Sequence, residues 1–220
     1  SAGVIMYEVV FYQDEKGNSE LLKYLDIQNY EAIYNKNERT ILKQLILYIK
    51  VLEQHSIEAE EPFAKRVCNE IWETRLSNNM ILLFTIHEKK IILLNYLTKL
   101  SNKMLKSEID DTIKKIENCN NKRVNVDEFA KWSNVVKTIT ALTNTDKSEV
   151  NLMADIITKI IGRQKELGIS KREFERMTGI RNNVIYRIEN MRMMPQLTTL
   201  IKLMEPLGLR LYAGNAEGDI

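Results

Sequence analysis

Residues 168–191 read Gly-Ile-Ser-Lys-Arg-Glu-Phe-Glu-Arg-Met-Thr-Gly-Ile-Arg-Asn-Asn-Val-Ile-Tyr-Arg-Ile-Glu-Asn-Met, and this stretch decides the fold of the C-terminal third. Ser170 is a typical N-cap residue, so a short helix is expected to run from there to Thr178. Gly179 supplies the turn, because glycine adopts a positive φ without steric cost. A second short helix follows, and its inward positions are Val184, Ile185 and Ile188.

Two helices joined by a glycine-bearing turn form the helix-turn-helix unit, whose second helix enters the DNA major groove. The outward side chains of that second helix are Arg181, Asn182, Asn183, Tyr186 and Arg187. Arginine bridges the acceptors of guanine, asparagine pairs with adenine, and both reach phosphates. Lys171 and Arg172 start the preceding helix, where the helix dipole also favours phosphate. The pattern predicts operator DNA as a partner; the alternative is a helical bundle that only uses the same packing.

These residues resemble the Xre/Cro family, in its HigA-type antitoxin branch, over residues 147–213. The matching features are Ser170 to Gly179, Ile185, Arg187-Ile188-Glu189, Pro195-Gln196-Leu197-Thr198-Thr199-Leu200 and Leu207-Gly208-Leu209. Met191 departs from the family, which usually has glycine there, so the turn after the second helix is expected to be strained. The resemblance implies an antitoxin domain that binds DNA and represses its own operon.

The composition is that of an ordinary globular protein large enough for two domains. The 220 residues are 44% hydrophobic and 28% charged, with a net charge of +2. Residues 1–118 carry 16 basic and 18 acidic side chains, whereas residues 119–220 carry 16 and 12, so a phosphate-binding surface is expected in the C-terminal part. Two unrelated cysteines, Cys68 and Cys119, predict neither disulfides nor a zinc site. We expect a cytoplasmic protein without cofactor, metal or membrane span.

The N-terminal part predicts an α+β domain. Expected are a strand over 5–12, a helix capped by Ser19, a helix over 37–54, an antiparallel meander of 69–76, 80–87 and 90–98, and a helix over 105–118 capped by Ser107. The polar run 118–123 predicts a domain boundary, and the chain beyond it reads as all-α. Asp127 is expected to cap one helix, and Asp146 to begin another in a capping box with Glu149. The expected division is therefore 4–118, a linker and helix over 119–146, and 147–213.

This order of elements resembles the RelE/HigB superfamily of ribonuclease toxins. The motifs that carry the resemblance are Pro62-Phe63-Ala64-Lys65, Ile71-Trp72-Glu73-Thr74-Arg75, Ile81-Leu82-Leu83-Phe84, Leu93-Leu94-Asn95-Tyr96-Leu97-Thr98-Lys99 and Lys106-Ser107-Glu108-Ile109. The resemblance implies an endoribonuclease that enters the ribosomal A site and cuts mRNA.

Attack by a ribose 2′-hydroxyl needs a proton acceptor and cations that stabilise the charge developing on the phosphate. On this basis the catalytic candidates are Arg75 and Lys99, which would face the phosphate, and Tyr96, which would stack on a base or polarise the hydroxyl. Lys65 would help to hold RNA. Each residue also has a structural alternative. Arg75 would be an ion-pair partner on the strand surface, Lys99 a solvated lysine and Tyr96 a core residue.

Three departures from the toxin pattern predict weakened or lost activity. Met80 and Leu100 stand where the family has cations, and Met104-Leu105 replaces its Thr-Pro. One hypothesis is a toxin–antitoxin protein in one chain, whose helix-turn-helix half masks the toxin half through 124–143 and binds its operator as a homodimer. A second is a transcriptional regulator whose toxin-like domain serves only dimerisation or sensing. A third is an active ribonuclease that cuts mRNA on the ribosome, with a C-terminal domain that merely positions it.

Overall fold

The computed structural model describes residues 7–54, 64–68, 70–76, 80–98 and 106–212. Its strands are β1 (Glu8–Phe11), β2 (Lys65–Cys68), β3 (Ile71–Arg75), β4 (Met80–His87), β5 (Lys90–Thr98) and β6 (Ala130–Lys131). Its α-helices are α1 (Glu20–Tyr34), α2 (Lys36–Gln54), α3 (Lys106–Asn120), α4 (Trp132–Val135), α5 (Asn144–Glu166), α6 (Lys171–Thr178), α7 (Asn182–Glu189) and α8 (Leu197–Met204). Short 3-10 turns lie at Val126–Glu128, Val136–Thr138 and Glu205–Leu207.

Within the described residues, six strands form one mixed sheet in the order β2-β3-β4-β5-β1-β6. The predicted meander is confirmed, since β3, β4 and β5 pair antiparallel. β1 joins the sheet parallel to β5, with Val10 opposite Ile92. The short edge strands β2 and β6 were not expected from the sequence. β4 and β5 are almost continuously apolar because helices cover both faces of the sheet.

Two apolar layers enclose the sheet. On one face, side chains such as Phe84 and Leu93 belong to a cluster with α1 and α2, and that cluster continues through α5 to Phe174 of α6. On the other face, Leu83 and Leu94 belong to a second cluster with Ile116 and Cys119 of α3. The part of the chain before α5 contains the sheet and is called the sheet half, and the part from α5 onwards is called the helical half. Helix α5 packs along α2, so the two halves share buried surface.

The segment 124–143 differs from the expected helix. Asn125, rather than Asp127, caps a single 3-10 turn there, and its side chain accepts a hydrogen bond from the Asp127 N–H at 3.1 Å. The chain then adds β6 to the edge of β1 before the short helix α4. Trp132 of this segment packs on β1, with its ring 6.3 Å from that of Phe11.

Two predicted helix starts are wrong. Ser107 lies inside α3, which begins at Lys106 and runs to Asn120, into the predicted polar break. Helix α5 is capped by Thr143, whose hydroxyl accepts the Asp146 N–H at 3.1 Å, while the Asp146 carboxylate accepts the Thr143 N–H at 3.0 Å. Asp146 thus occupies the N3 position of the capping box and not the N-cap position. The carboxylate of Glu149 instead lies 2.5 Å from Lys43 of α2.

Candidate nucleic-acid interface

The turn between α6 and α7 follows the predicted geometry. The Ser170 hydroxyl accepts a hydrogen bond from the Glu173 N–H at 3.2 Å and caps α6. Phe174 is fully buried and anchors α6 to the core. Gly179 has a φ of +68°, and its N–H donates to the Glu175 carbonyl at 2.9 Å, which closes the helix. A side chain at this φ would be strained, so the glycine fixes where α6 ends and how α7 leaves it.

Helix α7 has a buried side and an exposed side. Ile185 and Ile188 are buried in the cluster shared with α5, as predicted, and Val184 is half-buried. The polar and basic positions predicted to face DNA are all exposed: Arg181, Asn182, Asn183, Tyr186 and Arg187. Among the described residues no side chain caps the first turn of α7, which leaves the N–H groups of Asn182 and Asn183 available to an anion.

Lys171 has a structural partner that the sequence did not indicate. Its ammonium lies 2.5 Å from both carboxylate oxygens of Glu189, the last residue of α7. Glu189 is 2% exposed, and it also accepts a hydrogen bond from Gln164 of α5 at 3.0 Å. The ion pair therefore ties α6 to the end of α7. Arg172, its neighbour, is exposed on the surface of α6.

Arg192 connects α7 to the sheet. Its guanidinium lies 5.5 Å from the centre of the Tyr186 ring, a cation–π distance. The same guanidinium donates two hydrogen bonds, of 3.2 and 3.0 Å, to the main-chain carbonyl of Arg75 in β3. No pattern in the sequence indicates this contact, because the two residues are 117 positions apart. Met191, just before it, adopts a φ of +54°, at the position where strain was expected.

The candidate residues for RNA cleavage lie on different faces of the sheet. Residues directly opposite each other on paired strands project to the same face. Arg75 is opposite Ile81, which belongs to the α3 layer, and Lys65 is opposite Glu73. Tyr96 is opposite Leu82, which belongs to the α1 and α2 layer. The structure brings Lys65 and Arg75 to one face and places Tyr96 on the other, whereas Lys99 lies outside the described residues.

A β-bulge explains the position of Tyr96. Phe84 is opposite Leu93 and Leu83 is opposite Asn95, so Leu94 is an extra residue in β5. The inserted residue moves Tyr96 to the face of Leu93, where its ring lies 4.3 Å from the ring of Tyr24. Burial raises the pKa of Tyr24 to about 12.

The surroundings of Arg75, Lys65 and Met80 do not form a cationic RNA face. Arg75 donates to the Glu73 carboxylate through Nε and Nη2, each at 3.2 Å, which agrees with the ion-pair alternative. Lys65 is exposed on the edge strand β2. Met80 is 3% exposed and belongs to the cluster with α1 and α2. The position expected to carry a cation on an exposed RNA face is therefore part of the core; Leu100, Met104 and Leu105 lie outside the described residues.

In the part of the chain that the structure describes, no three acidic, histidine or cysteine side chains group in a way that would hold a metal ion. Likewise, no described helix is long and apolar enough to cross a membrane.

Comparison with known proteins finds a similarity within the helical part of the chain. The profile of the Helix-turn-helix family matches residues 162–212, which contain α6, α7 and α8. A 60-residue stretch is 42% identical to an uncharacterized HTH-type transcriptional regulator of Haemophilus influenzae, covering 27% of this chain and 61% of that protein. The match thus spans less than two thirds of the relative's length. The chain carries a helix-turn-helix domain, in agreement with the prediction from residues 168–191.

Proposed function

We propose that this protein is a transcriptional repressor that binds operator DNA through α7. The observation that carries the proposal is the row of four exposed polar or basic side chains on one side of α7, with Arg181 exposed at its N-cap and isoleucines buried on the other side. Arginine and asparagine are the side chains that read guanine and adenine in the major groove. The similarity to a transcriptional regulator supports the same function.

Each part of the surface has a proposed task. Asn182, Asn183 and Arg187 would contact base edges, while Arg181 and Arg172 would contact phosphates at the ends of the two helices. Tyr186 would reach a sugar or a thymine methyl group from its place beside Arg192. Lys171 would act mainly through Glu189, by holding α6 against α7, and its partly exposed side chain would add positive charge near phosphate.

A homodimer on two half-sites is part of the proposal. Helix-turn-helix proteins usually read paired half-sites about 34 Å apart, which a two-fold dimer matches. Leu197 and Ile201 lie one turn apart on α8 and are 62% and 49% exposed. These side chains support a contact between two copies. The division of the chain into 4–118, 119–146 and 147–213 also belongs to the proposal.

The test is selection from a library of random 30-base-pair duplexes with the full-length protein, followed by sequencing of the bound fraction. The repressor proposal expects an enriched motif with two related half-sites. It also expects binding to the enriched duplex to weaken steeply as the salt concentration rises, because phosphate contacts release counterions. A bound fraction without any enriched sequence would contradict the proposal.

The second candidate function is cleavage of mRNA on the ribosome by the N-terminal domain, neutralised in cis by the helix-turn-helix domain. The observation in its favour is the Arg192 contact, which places the turn after α7 against the strand that carries Arg75. The pairing of Arg75 with Glu73 and the position of Tyr96 on the opposite face weigh against an assembled active site. The repressor is therefore the better supported function. In the repressor, the toxin-like domain would serve dimerisation or sensing.

A cell-free translation reaction with a defined reporter mRNA separates the two candidates. Full-length protein with Arg192→Ala would release the turn from β3, while Arg123→Ala removes an exposed arginine outside the helix-turn-helix domain as a matched control. The toxin candidate expects mRNA cuts within codons only with Arg192→Ala. The repressor proposal expects intact mRNA with the wild type and with both variants.

A further inference from the structure

A cavity lies between the sheet half and the helical half of the molecule. It has a volume of about 250 Å³ and is formed by α2, α5 and the segment that joins α4 to α5. Its apolar lining includes Ile46, Ile139, Leu142 and Val150, each at most 5% exposed. A water molecule occupies about 30 Å³ in the liquid, so the space suits a ligand of roughly eight to ten non-hydrogen atoms.

Lysines surround this apolar space. Lys50 of α2, Lys137 of the 3-10 turn and Lys147 of α5 line it together with the apolar side chains. Among the described residues, neither Lys50 nor Lys147 forms an ion pair, whereas the nearby Lys43 is paired with Asp146 and Glu149. Both are half-buried, so their charges are less screened than those of fully exposed lysines.

Acidic side chains near the cavity lie outside its described lining. Glu53, one turn from Lys50 on α2, interacts with it electrostatically, and burial raises the pKa of the Glu53 carboxyl. No acidic residue belongs to the lining that the structure describes. Helix α5 also begins at Asn144, so the positive end of its dipole lies on the side of Lys147.

We propose that this cavity is a binding site for a small apolar carboxylate, whose chain fills the space between α2 and α5 while its charge meets Lys50 and Lys147. The apolar lining selects a hydrocarbon body, and the lysines select an anion over an alcohol or an amine. Because α2 belongs to the sheet half and α5 leads to the helix-turn-helix, an occupant would join the two halves more firmly. The proposal does not depend on DNA binding or RNA cleavage.

The test uses the full-length protein and sodium octanoate as the probe, with calorimetric titration and thermal unfolding as readouts. Octanol supplies the same chain without the charge, and acetate supplies the charge without the chain, at equal ionic strength. The expected result is one saturable octanoate site per chain and a rise in unfolding temperature, because a ligand that binds only the folded state stabilises it. Absence of octanoate binding, or equal binding of octanol, would overturn the proposal.

Variants locate the site. Lys50→Gln with Lys147→Gln removes both rim charges and should weaken octanoate binding by roughly tenfold or more. Lys114→Gln with Lys159→Gln is the matched control, since both residues are exposed and outside the cavity lining. Val136→Phe, at a half-buried lining position, should block the space without removing charge. Unchanged octanoate affinity in either the charge variant or the blocking variant would overturn the proposal, and the unfolding temperature without ligand verifies that each variant folds.

Discussion

Lys171 and Glu189 form an ion pair that joins the first helix of the helix-turn-helix to the end of the second, with the ammonium 2.5 Å from both carboxylate oxygens. Glu189 is almost completely buried, whereas 43% of the Lys171 side chain is exposed. A buried carboxylate that loses a charged partner is costly, even though Gln164 still donates one hydrogen bond to it. The pair thus couples the geometry of the DNA-binding surface to the stability of the domain.

Lys171→Met should lower the free energy of unfolding by about 1–3 kcal/mol, because it leaves the Glu189 carboxylate with a single donor. Urea unfolding of the full-length protein at pH 7 measures the change. The double variant Lys171→Met with Glu189→Gln should recover part of the loss, since the buried charge is then gone. A single variant as stable as the wild type would show that the pair does not stabilise the fold.

Met191→Gly should destabilise the protein although Met191 has a positive φ. Glycine relieves backbone strain of about 1–2 kcal/mol, but the Met191 side chain is 2% exposed, and loss of such a side chain costs about 2–5 kcal/mol. Glu88→Gly is the control, because Glu88 has a φ of +55° and an exposed side chain. The unfolding temperature should fall in Met191→Gly and rise in Glu88→Gly. A Met191→Gly protein that is more stable than the wild type would contradict the expectation that lost burial outweighs relieved strain.

The start of α5 should lose stability in acid. Burial tends to raise the pKa of Asp146, but hydrogen bonds from Thr143 and Lys43 outweigh it and lower the pKa to about 2. Because the folded pKa lies below the ordinary value of about 3.9, the stabilisation is complete above pH 4 and is lost as pH falls towards 2. Asp146→Asn should therefore cost about 1 kcal/mol at pH 7 and less at pH 3.

Urea unfolding at both pH values measures the difference between wild type and Asp146→Asn. Glu149→Gln is the matched control, since Glu149 also pairs with Lys43 but takes no part in the capping box. A gap between wild type and Asp146→Asn that stays constant from pH 7 to pH 3 would contradict the assigned pKa.

The sequence predicted the elements whose signals are local. β4 and β5 have the predicted bounds, because a two-residue polar turn separates two continuous apolar runs. Ser170 and Gly179 likewise set the limits of α6 through hydrogen bonds within four residues. The exposed side of α7 follows from helical periodicity once those limits are known.

The missed features depend on contacts between distant parts of the chain. β2 has four residues without an apolar alternation, and only its pairing with β3 makes it a strand. The bulge at Leu94 reverses the face of Tyr96, and no residue type marks it in a uniformly apolar strand. The pairing of Glu189 with Lys171 and the contact of Arg192 with Arg75 are decided by tertiary packing.

The central claim is that the exposed side of α7 reads DNA sequence. The most direct test is the affinity of wild type, Asn183→Ala and Arg123→Ala for the duplex enriched by selection and for a scrambled duplex of the same composition. The repressor account predicts that Asn183→Ala lowers the preference for the enriched duplex by roughly tenfold, a loss of about 1–3 kcal/mol of discrimination, while Arg123→Ala leaves it unchanged. An Asn183→Ala protein that keeps the full preference, or a wild type that shows none, would contradict the account.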